Sequence, residues 1–168
     1  MKLDLTCHLD TPSSVVRGVR VTLSDGELLF EIEGADRLHL PDPVRPRRTD
    51  GLWQTTCFEL FVKPVGGEAY REFNFSPSTA WAAYAFDGYR GGMRNLPLGA
   101  APVIARTGDA WRVTLPSEAS DSGPSVNAIS AVIEETGGTI SYWALRHPAG
   151  KPDFHHPDCF ALALPAQP

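Results

Sequence analysis

The sequence lacks most of the features that assign a protein quickly. No apolar run approaches the ~20 residues a membrane-crossing helix needs, and the opening MKLDLTCHLDTPSS has no apolar stretch of export-signal length. A soluble, cytoplasmic protein with no membrane partner is expected. Cysteine is scarce: Cys7, Cys57 and Cys159 are odd in number and far apart, which suits reduced thiols rather than a disulfide framework. Positive charge is also short, with 15 Lys and Arg against 20 Asp and Glu and a formal net charge of -5. A nucleic acid would meet a repulsive mean field, so no such partner is expected. The glycine signatures G-x-x-x-x-G-K-S/T, G-x-G-x-x-G and G-x-S-x-G are missing, and with them any support for phosphoryl transfer or a nucleophile elbow.

A sustained apolar stripe at helical spacing is missing too, whereas period-two alternation recurs throughout. VVRGVRVTLS and ELLFEIE flank Asp25-Gly26 and predict a tight hairpin, because that dipeptide tolerates the positive φ such turns demand. CFELFVK and YREFNF flank Gly66-Gly67 in the same way. WAAYAF, PVIAR, AWRVTL, VNAISAVIEE, ISYWAL and CFALAL continue the series. With MKLDLTCHL this predicts about ten strands in an all-β fold. Without crossover helices to cover a parallel sheet, the expected form is a two-sheet antiparallel β-sandwich, jelly-roll-like, spanning residues 1–168 as one domain. At this length, roughly 70% of the unfolded surface can be buried without a metal or disulfide staple.

Three longer irregular stretches remain: residues 40–53, residues 88–102 and HPAGKPDFHHPDC at 147–159. The last carries His147, His155 and His156. Adjacent histidines in an extended segment point to opposite sides, so His155 and His156 cannot easily share one ion. The favoured reading is a proline-stiffened connection with Phe154 pinned to the body and histidines bonding nearby backbone groups. A Cys159 nucleophile paired with His156 is disfavoured, because Cys159 opens the alternating run CFALAL as a small buried thiol would. Arg45, Arg47 and Arg48 read as a solvated loop.

Aromatic and planar polar residues are more informative. A sugar ring offers apolar C–H faces and a belt of hydroxyls, so its site needs flat aromatic surfaces beside carboxylate, amide or guanidinium groups. Trp53, Glu59, Glu72, Asn74, Trp143 and Arg146 supply both kinds. Alternation places Glu59 opposite Phe58 and Leu60, and Glu72 and Asn74 opposite Phe73 and Phe75, as the floor of a cleft on one sheet face. The same two glutamates are an alternative acid and base pair for an enzyme.

The stretch LWQTTCFELFVKPVGGEAYREFNFSPSTAWAAYAFDGYRGGM and the tail SYWALRHPAGKPDFHHPDCFALAL resemble a bacterial DOMON-like group related to family 9 carbohydrate-binding modules. The resemblance implies a β-sandwich with a ligand in a cleft on one sheet face. It implies that Trp53, six residues before Glu59, and Trp143 sandwich a terminal sugar, with Arg90, Arg94 and Arg146 as candidates for the bonding arginine. It also implies, through haem-binding relatives, an alternative in which Met93 joins His147, His155 or His156 at an iron. Sugar-binding modules of this kind usually belong to exported multidomain hydrolases, a setting from which this short chain departs. The expectation is a non-catalytic binder of a small saccharide or similar polar ligand, with no cofactor; haem or a divalent metal at the histidines is the alternative.

Overall fold

The computed structural model describes residues 1–24, 26–120 and 122–166. These contain no α-helix and twelve strands: β1 (Lys2–Cys7), β2 (Gly18–Ser24), β3 (Glu27–Glu33), β4 (Cys57–Pro64), β5 (Tyr70–Phe75), β6 (Trp81–Phe86), β7 (Arg94–Asn95), β8 (Val103–Thr107), β9 (Ala110–Thr114), β10 (Ser125–Glu134), β11 (Ile140–Ala144) and β12 (Leu162–Leu164). The expected hairpins form. β2 pairs β3 around Gly26 at φ 76°, and β4 pairs β5 around Gly66 at φ 80°. Asp25, the other residue of the first turn, lies outside the described residues. The extra strand, β7, is a two-residue pairing on β6 that no alternation announces.

Two separate sheets were expected, and the pairing corrects this. The hydrogen-bonded order runs β7-β6-β5-β4-β10-β11-β1-β2-β3-β9-β8 without a break, with β12 alongside β10. β1 is the joint: Lys2 to Leu5 pair with β2, while Thr6 and Cys7 pair with β11. One strongly curled antiparallel sheet results, and its two halves face each other across a shared core. Phe30 of β3 stacks on Phe58 of β4 with ring centroids 4.5 Å apart, and Trp111 of β9 lies 5.6 Å from Phe58. Removing such side chains from water contributes roughly 1.5–3 kcal/mol each.

The halves differ in their second face. In β2, β3 and β9 the alternate residues are exposed or half-buried, and some pair across strands, as Arg112 does with Glu27 at 2.7 Å. In β4, β5, β6 and β10 both faces are almost wholly buried. A second apolar cluster covers their outer side, built from Cys57, Phe61, Tyr70, Tyr84, Phe86 and Val132 with Phe154 and Cys159 of the tail. The polar residues expected on an outward face therefore sit under a cover.

Cys159 does not open a strand. It ends a 3-10 turn, Pro157–Cys159, and its buried thiol donates to the Asp153 carbonyl at 3.2 Å. The proline-rich tail packs as a stiff connection: Phe154 is buried, His147 Nε2 bonds the Thr6 carbonyl oxygen at 2.8 Å, and His156 Nδ1 accepts from the Asp158 N–H at 3.2 Å.

Candidate functional site

Period two puts Tyr84 and Phe86 of β6, Glu72 of β5, Glu59 of β4, Val132 of β10 and Tyr142 of β11 on one side of the sheet. The register sets them across five adjacent strands: Glu72 opposite Tyr84, Glu59 opposite Asn74 and Ser130, and Val132 opposite both Cys57 and Tyr142. Together with Trp53, Arg90, Met93 and residues 152–155 they line a hollow of about 350 Å³, within the size range of small-molecule sites.

Trp53 stands on a 3-10 turn, Leu52–Gln54, entered through Gly51 at φ 76°. Leu52 is buried beneath it, which leaves the indole 45% exposed at the rim of the hollow. Segment 44–49 runs along the start of β6, with Thr49 N–H donating to the Trp81 carbonyl at 2.8 Å, and so carries the chain to this point. Arg45 and Arg47 are exposed there, while the Arg48 guanidinium lies 5.1 Å from the centroid of the Tyr84 ring.

Glu59 and Glu72 are 3% and 6% exposed. Glu59 accepts from Ser130 Oγ at 3.3 Å, and Glu72 accepts from Asn74 Nδ2 at 2.8 Å. Burial pushes the Glu59 carboxyl well above the usual range, and the Glu72 charge adds to the push. Burial takes Glu72 up to about 7, against the hydrogen bond from Asn74 and the charge of Arg90.

His155 lines the same hollow. Its Nδ1 lies 2.7 Å from the Tyr70 hydroxyl, which also accepts the Arg90 backbone N–H at 3.2 Å, and its Nε2 faces Glu72 Oε2 at 3.7 Å. Burial, then the charge of Arg90, lowers His155 to about 4, so the ring is neutral near pH 7. Arg90 adopts a left-handed backbone at φ 52°, uncommon for a residue with a Cβ. Its guanidinium pairs with Asp153 at 2.7 Å, and Tyr89 donates to the other oxygen of the same carboxylate.

Of the residues expected from sequence, Trp53, Glu59, Glu72 and Arg90 meet at the hollow, with Asn74 buried on the same face. Three do not. Trp143 is 5% exposed in the core between the two halves, its Nε1–H bonded to Ser141 Oγ at 2.9 Å. Expectation was off by one residue here: β11 turns Tyr142 to the hollow and Trp143 away from it. Arg94 is exposed and paired with Asp87 at 2.6 Å, and Arg146 lies with His147 at a separate depression beside residues 6–10.

The three histidines are likewise apart, His147 on the Thr6 carbonyl, His155 in the hollow and His156 capping the 3-10 turn. Among the described residues no group of three or more His, Cys, Asp or Glu is placed to hold a metal ion. Met93 and His155 both line the hollow, yet the bonding of His155 to Tyr70 and its approach to Glu72 suit a hydrogen-bonding ring better than an axial iron ligand. Tyr84, Phe86 and Tyr142 line the hollow and escaped the sequence reading, and Asp153, considered only as a metal ligand, lines it as the partner of Arg90. Parity with Glu72 and Asn74 was the available signal for the first two only once the strand register was known.

No family model matches the chain, and no curated relative matches it. Its fold is similar to the crystal structure of "a putative carbohydrate-binding protein" from Bacteroides uniformis, with a TM-score of 0.64 and 14% sequence identity over 95% of this chain and 83% of that one.

Proposed function

We propose that this protein is a non-catalytic binder of a small saccharide or similar polyol, held in the hollow beneath the proline-rich tail. One observation carries the reading: an exposed indole, Trp53, stands at the mouth of a hollow of about 350 Å³ whose floor holds two buried carboxyl groups. Stacking on the indole, and on Tyr84 or Tyr142, accounts for a ring's apolar faces; Glu59, Glu72 and Arg90 account for its hydroxyls. The structural neighbour's description as carbohydrate-binding is in keeping with this. So is the resemblance of Leu52 to Met93 to the DOMON-like group, which supplies the finer assignment.

A thermal-shift panel of mono- and disaccharides is the test. A ligand bound only by the folded form adds about 2.7 kcal/mol of stability at a hundredfold excess over its Kd. A shift that is lost in Trp53→Ala supports the reading, and a panel without any shift overturns it.

A second reading follows from the coupled carboxyls. Glu59 and Glu72 are diagonal neighbours across β4 and β5, and two carboxyls driven apart in pKa can divide acid and base work. Release of product from a bound glycoside, abolished in Glu72→Gln, would favour it.

A further inference from the structure

We infer that the ligand of this hollow carries a protonated amine, with amino sugars as the class that fits; the inference rests on the saccharide reading above. Three carboxyl side chains line the hollow, those of Glu59, Glu72 and Asp153, and one cation, Arg90. Arg90 is committed to Asp153 at 2.7 Å. His155 brings no charge near pH 7, because burial holds its pKa down at about 4. Among the described residues neither Glu59 nor Glu72 has an ion pair with a lysine or arginine, and their protein donors are the neutral Ser130 and Asn74.

Two buried carboxyls sharing one face, with only the influence of an Arg90 already paired to Asp153, are costly to ionise, and a cation from outside relieves both at once. A further observation points the same way. Asn74 is fully buried on this face, and its Oδ1 has no hydrogen-bond donor. Glu59 and Glu72 line the hollow itself, and Asn74 Oδ1, directly across from Glu59, leaves that face one donor short; an ammonium group carries three N–H donors. Beside the two glutamates stand Trp53 and Tyr142, whose ring faces attract a cation, while Tyr84 already carries Arg48 and Phe86 stacks on Tyr70. A neutral sugar can stack on the same rings but leaves the carboxyls without a counter-charge.

The groups facing the carboxyl pair are Cys57 and Phe61 on β4, Tyr70 and Asn74 on β5, Tyr84 on β6, Ser130 on β10 and Tyr142 on β11, with Arg90, Asp153 and His155 from the covering loops. As pH falls below 7 the proton returns to Glu72 and removes the charge that would hold the amine.

Calorimetric titration of the full chain with glucosamine, galactosamine and mannosamine, each beside its parent hexose and its N-acetyl form, tests this. At pH 7 at least one amine should bind ten times more tightly than its parent and its acetylated form. That preference should shrink at pH 5 and fall to within about threefold in Glu72→Gln, with melting curves showing that the variant is folded. A hexose or N-acetyl sugar binding as tightly as its amine overturns the inference and leaves the saccharide reading standing. Absence of binding by all nine sugars overturns both.

Discussion

Glu59 and Asn74 stand directly opposite each other on β4 and β5, both buried, and the Asn74 Oδ1 has no donor. A buried carboxylate beside an unpaired amide oxygen is unfavourable; in the unliganded protein protonation of the carboxyl relieves this, as a bound cation would. Burial, and after it the charge of Glu72, raises the Glu59 carboxyl in the same direction. Glu59→Gln, whose amide also donates, should fold normally and melt no lower than the parent at pH 7. Glu59→Ala, which leaves a cavity and the same orphaned oxygen, should melt lower, as thermal denaturation of the two variants would show.

The Glu72 carboxyl sets a second pH dependence. Its folded pKa of about 7 lies above the ordinary 4.5, so the folded form holds a proton that the unfolded form has lost between those values. Its contribution to stability is full below about pH 4.5 and is lost as pH rises to 7, on the order of 3 kcal/mol in all. Glu72→Gln should therefore match the parent near pH 4.5 and exceed it at pH 8. Denaturant midpoints at the two pH values check this; a parent that stays ahead at pH 8 contradicts it.

His155 acts with the opposite sign. Its pKa is lowered from 6.5 to about 4, so the unfolded chain takes up a proton first as pH falls, and stability declines between those values. Across pH 4.5 to 6.5 this offsets the Glu72 trend in the parent. In His155→Gln the offset disappears, and the variant should lose stability on going from pH 4.5 to 6.5, a slope visible in urea titrations.

Trp53 and Trp143 should separate cleanly. Truncating the half-exposed Trp53 to Ala should cost less than about 1 kcal/mol in stability yet abolish the ligand response. Trp143→Ala should cost about 3–5 kcal/mol through the cavity it leaves. Trp143→Phe should be less stable than the parent, with the Ser141 hydroxyl deprived of its donor, and should still bind. Paired melting and binding measurements on the three variants decide the point.

The all-β class, the hairpins and most of the strands were legible because alternation and turn glycines are local signals, though about ten strands were expected and twelve are present. Continuity through β1 was not, since the sequence LDLTC does not say that its two ends pair with different neighbours. Parity correctly placed Glu59, Glu72 and Asn74 on one face of their strands. It did not say which face of β11 looks toward the hollow, because Tyr142 and Trp143 are both aromatic and adjacent. Nor could it reveal that a tail about a hundred residues away roofs the carboxyls and turns an open floor into a covered hollow.

Glu135 was also invisible to pattern. Its carboxylate accepts from the Ser13 hydroxyl at 2.5 Å and from the N–H groups of Ser14, Val15 and Val16 at 3.0 to 3.3 Å, which ties the chain entering β2 to the end of β10. Burial pushes this group up, but those hydrogen bonds hold it below the ordinary range. Glu135→Ala should lower stability by about 2–4 kcal/mol at pH 7, by leaving buried donors unpaired. The deficit should narrow as pH falls and the parent carboxylate is itself protonated, and chemical denaturation at pH 7 and pH 3 would measure it.

The indole N–H signals offer the most direct test of the hollow as a ligand site. The chain has four tryptophans, Trp53, Trp81, Trp111 and Trp143, and each gives one such resonance in a ¹H–¹⁵N spectrum. Titration with a sugar that raises the melting temperature should move the resonance that is missing from Trp53→Phe and leave that of Trp143 nearly still. Movement of the Trp143 signal with Trp53 unmoved would contradict the account.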